Sequence, residues 1–370
     1  MAEWLGRGLQ NLVHQFESGR NLHRPNPSDW GIFFSIMKKN ILYLVLVLVL
    51  GATAYWFFYG KKPTNTLSGE ERNFTIDDTA AIDRIFFAKK TGASILLERN
   101  TDGSWKLNGK DEARIDAVDM LLETFKRLAV KSPVPVNGME TVKRNLVVDG
   151  LKVEVYQKGE KVKTMYLGTP TKDFRGTYMM LEDAQMAYIM HLPGWEGTIT
   201  PRFFSEPIEW KSRVIFRAAP RKLAEVSVQY PTHPEDNFVM KKSANGSYEL
   251  KGNGAPILAD TALMNLYSSF FNGVHCEGFE PNNPNRDSVM KTPPILQLTL
   301  INEKKAKTSV KFWPFFINMN NTVGPQNDET GKYTDVERVF FYREETNDFG
   351  VMQLFSIQGI FKRYRDFAKR

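Results

Sequence analysis

Asp102-Gly103-Ser104-Trp105-Lys106-Leu107 returns 143 residues later as Asn245-Gly246-Ser247-Tyr248-Glu249-Leu250. Asp-Gly and Asn-Gly between alternating runs mark tight hairpin turns, because the central positions need positive φ. The run before each copy reads as a strand, Ser94–Glu98 in the first and Asn237–Lys241 in the second. Downstream of the first copy, Asp116 stands before Val118, Leu121, Leu122, Phe125 and Leu128, a helical stripe. Downstream of the second, Asp260 stands before Leu263, Leu266, Phe270 and Phe271. Aspartate suits the N-cap of each helix because its carboxylate accepts the first free N–H groups.

The echo continues. Each helix is followed by two alternating runs, Lys152–Gln157 with Val162–Leu167, then Ile295–Ile301 with Thr308–Trp313. A last strand pair closes each copy, Tyr178–Leu181 with Ala187–Met190 and Val339–Tyr342 with Phe349–Gln353. The pattern predicts an α+β chain with an internal duplication: two units of meandering antiparallel sheet, each carrying a helix. The first unit is expected at 81–200, a connector at 201–221, and the second unit at 222–356. An amphipathic basic helix is expected at 357–370.

Upstream of the duplication, Ile41–Gly60 reads ILYLVLVLVLGATAYWFFYG, twenty positions without a charge. As a helix it covers about 30 Å, the hydrocarbon thickness of a bilayer. Its eleven Ile, Leu, Val and Phe residues favour insertion by about 3–7 kcal/mol. Ile41, Leu44, Leu46, Leu48 and Leu50 supply the apolar anchor, and Trp56 and Tyr59 an interfacial belt. Ala52-Thr53-Ala54 has the form of a signal-peptide cleavage site. Forty residues precede the run, however, and it stays apolar past Ala54, so an uncleaved transmembrane helix at 41–60 is expected. Residues 61–80 are expected as a linker.

Residues 1–40 form a short arm. Trp4, Leu5, Leu9, Leu12, Val13 and Phe16 recur at helical spacing before Arg24-Pro25-Asn26-Pro27 breaks the pattern. That stripe suits either the membrane surface or a cytoplasmic partner. Basic residues balance near the two ends of the span, and Arg7 and Arg20 tip the bias toward a cytoplasmic N-terminus. The remainder is then expected outside the cytoplasm.

Of the net charge of +7, the first sixty residues hold +2, leaving +5 spread over the other 310. Without a dense Lys/Arg block with interleaved aromatics, nucleic acid is not an expected partner. Cys276 is the single cysteine, so no intrachain disulfide can form. His191, His233 and His275 lie far apart in sequence, and no His-x-x-x-His, Cys-x-x-Cys, nucleophile elbow or phosphate loop occurs. No metal or cofactor is expected, and an enzyme is not. His275-Cys276 could pair a thiol with a base, against the plainer reading of a packed element's end. Phe312, Trp313, Phe315 and Phe316 flank Pro314 and read as core or, where the proline bulges the strand, as an exposed partner contact.

The hairpin opening Ile82–Leu107, the following helix, Gly194-Trp195, Pro201-Arg202-Phe203-Phe204 and Trp210-Lys211-Ser212-Arg213 together resemble the bacterial domain of unknown function 4340 over about residues 80–240. The resemblance implies an inner-membrane protein with a periplasmic domain, of a type that accompanies gliding-motility-type ABC transporter subunits in Bacteroidota. It supplies no catalytic or binding residue. It also draws attention to Asp78-Thr79-Ala80, Asp260-Thr261-Ala262 and Asp287-Ser288-Val289, which resemble Bacteroidota O-glycosylation sites at Thr79, Thr261 and Ser288. The expected role is a non-catalytic structural or interaction subunit of an envelope complex, binding the membrane and other envelope proteins, such as an ABC transporter, motility or secretion accessory. A membrane-anchored lipid- or lipoprotein-handling protein is one alternative, and an envelope hydrolase the other.

Overall fold

A computed structural model describes residues 45–53, 69–92, 94–219, 222–316, 326–327 and 333–369. Residues 71–370 make one compact unit and 1–70 another. Residues 45–53 are helical, and Val45 to Leu50 are exposed. Among the described residues no helix is long and apolar enough to cross a membrane. The rest of the expected 41–60 span, the whole arm, and the candidates Trp4, Leu5, Leu9, Leu12, Phe16, Ile41, Leu44, Trp56 and Tyr59 lie outside them.

The first half of the large unit opens with β1 (Ile82–Ala88), β2 (Ile95–Arg99), β3 (Trp105–Leu107) and β4 (Asp111–Glu112). Helix α1 (Ile115–Arg127), β5 (Ala129–Pro133) and α2 (Val136–Asp149) follow. Then come β6 (Leu151–Gln157), β7 (Glu160–Pro170), β8 (Thr177–Leu181) and β9 (Tyr188–His191). They form one antiparallel sheet in the order β4-β3-β2-β1-β6-β7-β8-β9-β5. Alternation along β6 turns Leu151, Val153 and Val155 inward. Against that face lies α1, whose Val118, Leu121 and Phe125 are fully buried. Each such side chain contributes about 1.5–3 kcal/mol.

After α3 (Pro207–Trp210) and β10 (Val214–Arg217) the plan repeats with β11 (Leu223–Gln229), β12 (Phe238–Lys242) and β13 (Tyr248–Gly252). Helix α4 (Thr261–Ser269), β14 (Asn272–His275), β15 (Gly278–Phe279) and α5 (Arg286–Met290) come next. The half closes with β16 (Leu296–Asn302), β17 (Lys307–Phe316), β18 (Gln326–Asn327), β19 (Tyr333–Arg343), β20 (Asp348–Gln353) and α6 (Leu354–Ile357). The second sheet runs β13-β12-β11-β16-β17-β19-β20-β15, the same order as the first without β4.

Register makes the duplication structural. Ile85 faces Leu97 and Val155, and Val226 faces Met240 and Leu300. The β1–β6 ladder is irregular between Ile82 and Arg84, and β11–β16 between Leu223 and Glu225, so one defect sits at one place in both copies. The quoted turns also coincide. Ser104 N and Oγ donate to Asp102 Oδ1 at 3.0 and 2.6 Å, and Ser247 N and Oγ donate to Asn245 Oδ1 at the same distances. Gly103 and Gly246 follow at φ +85° and +84°, a conformation glycine adopts without strain.

Several expectations need correcting. Residues 357–370 are not one helix: α6 ends at Ile357 and only a 3₁₀ turn forms, at Tyr364–Phe367. That tail instead repeats the expected connector. Arg114 N donates to the Trp210 carbonyl at 2.7 Å, and Asp260 N to the Phe367 carbonyl at 2.8 Å. Single bridges Ala113–Lys211 and Ala259–Ala368 flank these bonds. Each unit is therefore closed by a strap that follows its last strand and ends in a buried aromatic, Trp210 or Phe367. The correspondence of Arg114 with Asp260 also displaces Asp116 as a cap. Asp116 lies in the first turn of α1, paired with Arg114, whereas Asp260 caps α4 through Ala262 N and Leu263 N. The expected linker ends early, since Phe74 and Ile76 are buried in the first core. A second helix, α2, covers the back of the first sheet through Leu146, which the reading of one helix per unit omits.

Candidate functional site

The chemistry-bearing residues disperse. His191 lies on β9, His233 precedes a 3₁₀ turn and lies 3.6 Å from Glu235, and His275 ends β14. His275 is exposed and its neighbour Cys276 buried, as strand alternation requires. Burial pushes the Cys276 thiol up to about 12, away from the thiolate a nucleophile needs. Among the described residues no group of three or more His, Cys, Asp or Glu is placed to hold a metal ion.

The aromatic run on β17 splits between two faces. Phe312 points into the second core and Trp313 into a cluster on the opposite face with Val289, Phe340, Phe349 and Val351. Both are buried, so the exposed-contact reading fails for them. Phe315 is partly buried against that cluster, while the Phe316 side chain lies outside the described residues. Pro314 does disturb the ladder, which shifts register before Phe316. Of the threonine and serine candidates, Thr261 and Ser288 are exposed and Thr79 is half-buried. Asp78 and Asp260 beside two of them act as helix caps.

What the fold does assemble is a clamp between its two units. Lys211, at the end of the first strap, reaches Asp111 of β4 at 3.1 Å and Asp348 of β20 at 2.6 Å. Its Nζ also lies 5.3 Å over the Phe279 ring. Arg343 and Thr346 donate to the other oxygen of Asp348. Burial alone would raise the Asp348 carboxyl, but the bonds from Lys211, Thr346 and Arg343 together hold it below the usual carboxylate range. Ser212 N donates to the Glu112 carbonyl at 2.7 Å, and Arg217 pairs with Glu112 at 2.9 Å. The Trp-Lys-Ser-Arg signature is thus a joint: its tryptophan fills the first core, its lysine joins carboxylates of both units, and its serine is held to β4.

Two surface features remain. A cleft of about 380 Å³ lies where α2 meets β6 and β7, bordered by Lys89, Asn145, Asp149, Tyr178 and Thr200. The other is the β7–β8 hairpin tip. Thr171 Oγ and Arg175 N both donate to Asp173, whose carboxyl they lower in that order. The turn holds Phe174 at φ +54° with 67% of its surface exposed. A non-glycine residue there costs about 1–2 kcal/mol, and a bulky aromatic is rare in that region. Phe174→Asn is therefore expected to stabilise the protein by about 1 kcal/mol, seen as a higher midpoint in urea; an unchanged or lower midpoint would remove the strain argument.

A family model described as a domain of unknown function, DUF4340, matches residues 105–290. That is half of the chain, from β3 to α5, and it takes in Asp111 and Lys211 of the clamp. No curated protein and no solved structure matches.

Proposed function

We propose, from the premise that this chain belongs to the DUF4340 family, that it is a non-catalytic interaction subunit of an envelope complex. It is held by a transmembrane helix at 41–60, with residues 71–370 as its rigid extracytoplasmic part. One observation carries the reading: two cores that could have been beads on a string are one compact unit, fixed by Lys211 between Asp111 and Asp348. A rigid tandem presents two related surfaces in one fixed geometry, which suits assembly with other proteins. The twenty uncharged residues from Ile41 to Gly60 support the anchor, as do the exposed helical leucines among them.

The lipid-carrier alternative requires an apolar groove. The inner faces of both sheets are filled instead, with Trp105, Phe125, Tyr267 and Phe271 fully buried on them, and the cleft at α2 mixes Asn145 and Asp149 with Leu146 and Leu167. The deciding experiment is a gentle-detergent pull-down of the full chain beside a chain starting at Lys61, with proteomics on both. Stoichiometric proteins on either bait are expected. Partners held by the full chain alone place recognition in the arm and anchor, and partners held by both place it in the tandem. Neither bait retaining a stoichiometric protein would sink the subunit reading.

A further inference from the structure

We propose that the end of the first sheet carrying the β7–β8 tip is a docking surface for an anionic lipid bilayer. Three observations converge on it. The first is the strained presentation of Phe174, outward in the left-handed region. The second is a neighbouring exposed aromatic. Thr177 of β8 pairs with Met190 of β9, so the loop after β9 lies at the same end of the sheet. On that loop is Trp195, exposed and backed by Arg202 at 4.9 Å from its ring.

The third observation is charge. Lys172 and Arg175 flank Phe174 and are exposed, and Lys131 donates to the Arg175 carbonyl at 3.0 Å. Arg202 joins them, as does Arg127, which donates to the Pro193 carbonyl and pairs with Glu123. Of the other carboxylates there, Asp173 accepts the Thr171 hydroxyl and Arg175 N–H, Glu196 is on the Trp195 loop, and Asp149 borders the cleft beside Pro170. Exposed aromatics ringed by Lys and Arg fit the headgroup layer, where rings settle among the glycerol groups and cations meet phosphates. The second unit serves as an internal contrast, because its longer β17–β19 connection replaces the short tip.

The proposal uses the anchored reading only for the presence of that bilayer.

Vesicle cosedimentation of residues 61–370, which hold both cores, tests it independently of any pull-down. Vesicles of phosphatidylcholine with about one-third phosphatidylglycerol should bind the protein, pure phosphatidylcholine only weakly, and salt should weaken binding. Lys172→Gln/Arg175→Gln should lose roughly twentyfold in partitioning. Phe174→Asn should lose about tenfold while melting higher than the parent. A folding defect cannot produce that opposite pair of changes. Equal binding to both vesicle types, no binding to either, or full binding by Phe174→Asn would each overturn the proposal, the second leaving a protein as the tip's partner.

Discussion

A chain ending at Arg363 is expected to lose the folded state of its second unit. The seven residues removed, Tyr364–Arg370, resemble a dispensable basic tail, yet Phe367 is buried with its ring 5.1 Å from Phe238 and 5.3 Å from Tyr267. Replacing such a ring by a cavity costs about 3–5 kcal/mol. Tyr364, also buried, adds about 1.5–3 kcal/mol of lost transfer energy. The backbone loses as well, because the Phe367 carbonyl accepts Asp260 N at the start of α4 and Lys369 N donates to Leu258 O. Domains are stable by only about 5–15 kcal/mol, so the sum is enough to unfold this half. Hydrogen exchange should then show β12, β13 and α4 unprotected while β1, β6 and α1 keep protection. Lys362→Gln/Lys369→Gln, which removes charge but no aromatic, should change the urea midpoint little. Native protection of α4 in the truncated chain would show the strap to be ornamental.

The misreading of that tail shows where sequence patterns stop. Tyr364 and Phe367 stand three apart among basic residues, which is equally the mark of an amphipathic helix and of a strap with two inward rings. The related segment Pro207-Ile208-Glu209-Trp210 shares little more than its final aromatic, so the repeat there is invisible without Trp210 and Phe367 accepting equivalent bonds. The turns were legible because Asp102-Gly-Ser and Asn245-Gly-Ser encode their own geometry locally. The strands were legible for a related reason: residues such as Leu151, Val153 and Val155 alternate against one covered face. Phe312-Trp313 defeats that rule, because both faces of β17 are covered and two consecutive aromatics are both buried. The cover on the second face includes Val289 of the five-residue α5, too short to leave a periodic signal. Helix α2 escaped notice for a related cause: its inward Leu146 is accompanied by outward Val136, Val147 and Val148, which blur the apolar stripe. The clamp lysine stands in a signature that sequence alone could quote but not explain, since its partners Asp111 and Asp348 come from opposite ends of the tandem.

Lys211→Met should both destabilise residues 71–370 and divide their unfolding. Removing one partner of a buried ion pair strands the other, typically at about 3–5 kcal/mol. Here Arg343 and Thr346 still hold Asp348, and the Asp111 side chain is 26% exposed, so about 2–3 kcal/mol is expected. Because Lys211 joins β4 of one unit to β20 of the other, the loss falls on their coupling rather than on either core. Calorimetry should show one transition in the parent and two in Lys211→Met. Acid should act the same way on the parent. The folded Asp348 pKa lies below the ordinary value, so its contribution is present above that ordinary value, near 3.9, and is lost as pH falls through the lower folded value. In Lys211→Met the carboxyl loses its largest lowering hydrogen bond, and the acid transition should move to higher pH. Lys211→Met/Asp348→Asn should not recover the lost stability, because it also leaves the largely buried Arg343 without its carboxylate. A single transition in Lys211→Met at the parent's temperature would mean that the units are held by their backbone bonds alone. Those bonds are Ser212 N to Glu112 O and Arg114 N to Trp210 O on the first unit, and Cys276 N to Arg213 O on the second. The lysine Nζ adds the buried side-chain link from β4 to β20, beside the more exposed Arg217–Glu112 pair, which is why its removal is expected to weaken their coupling.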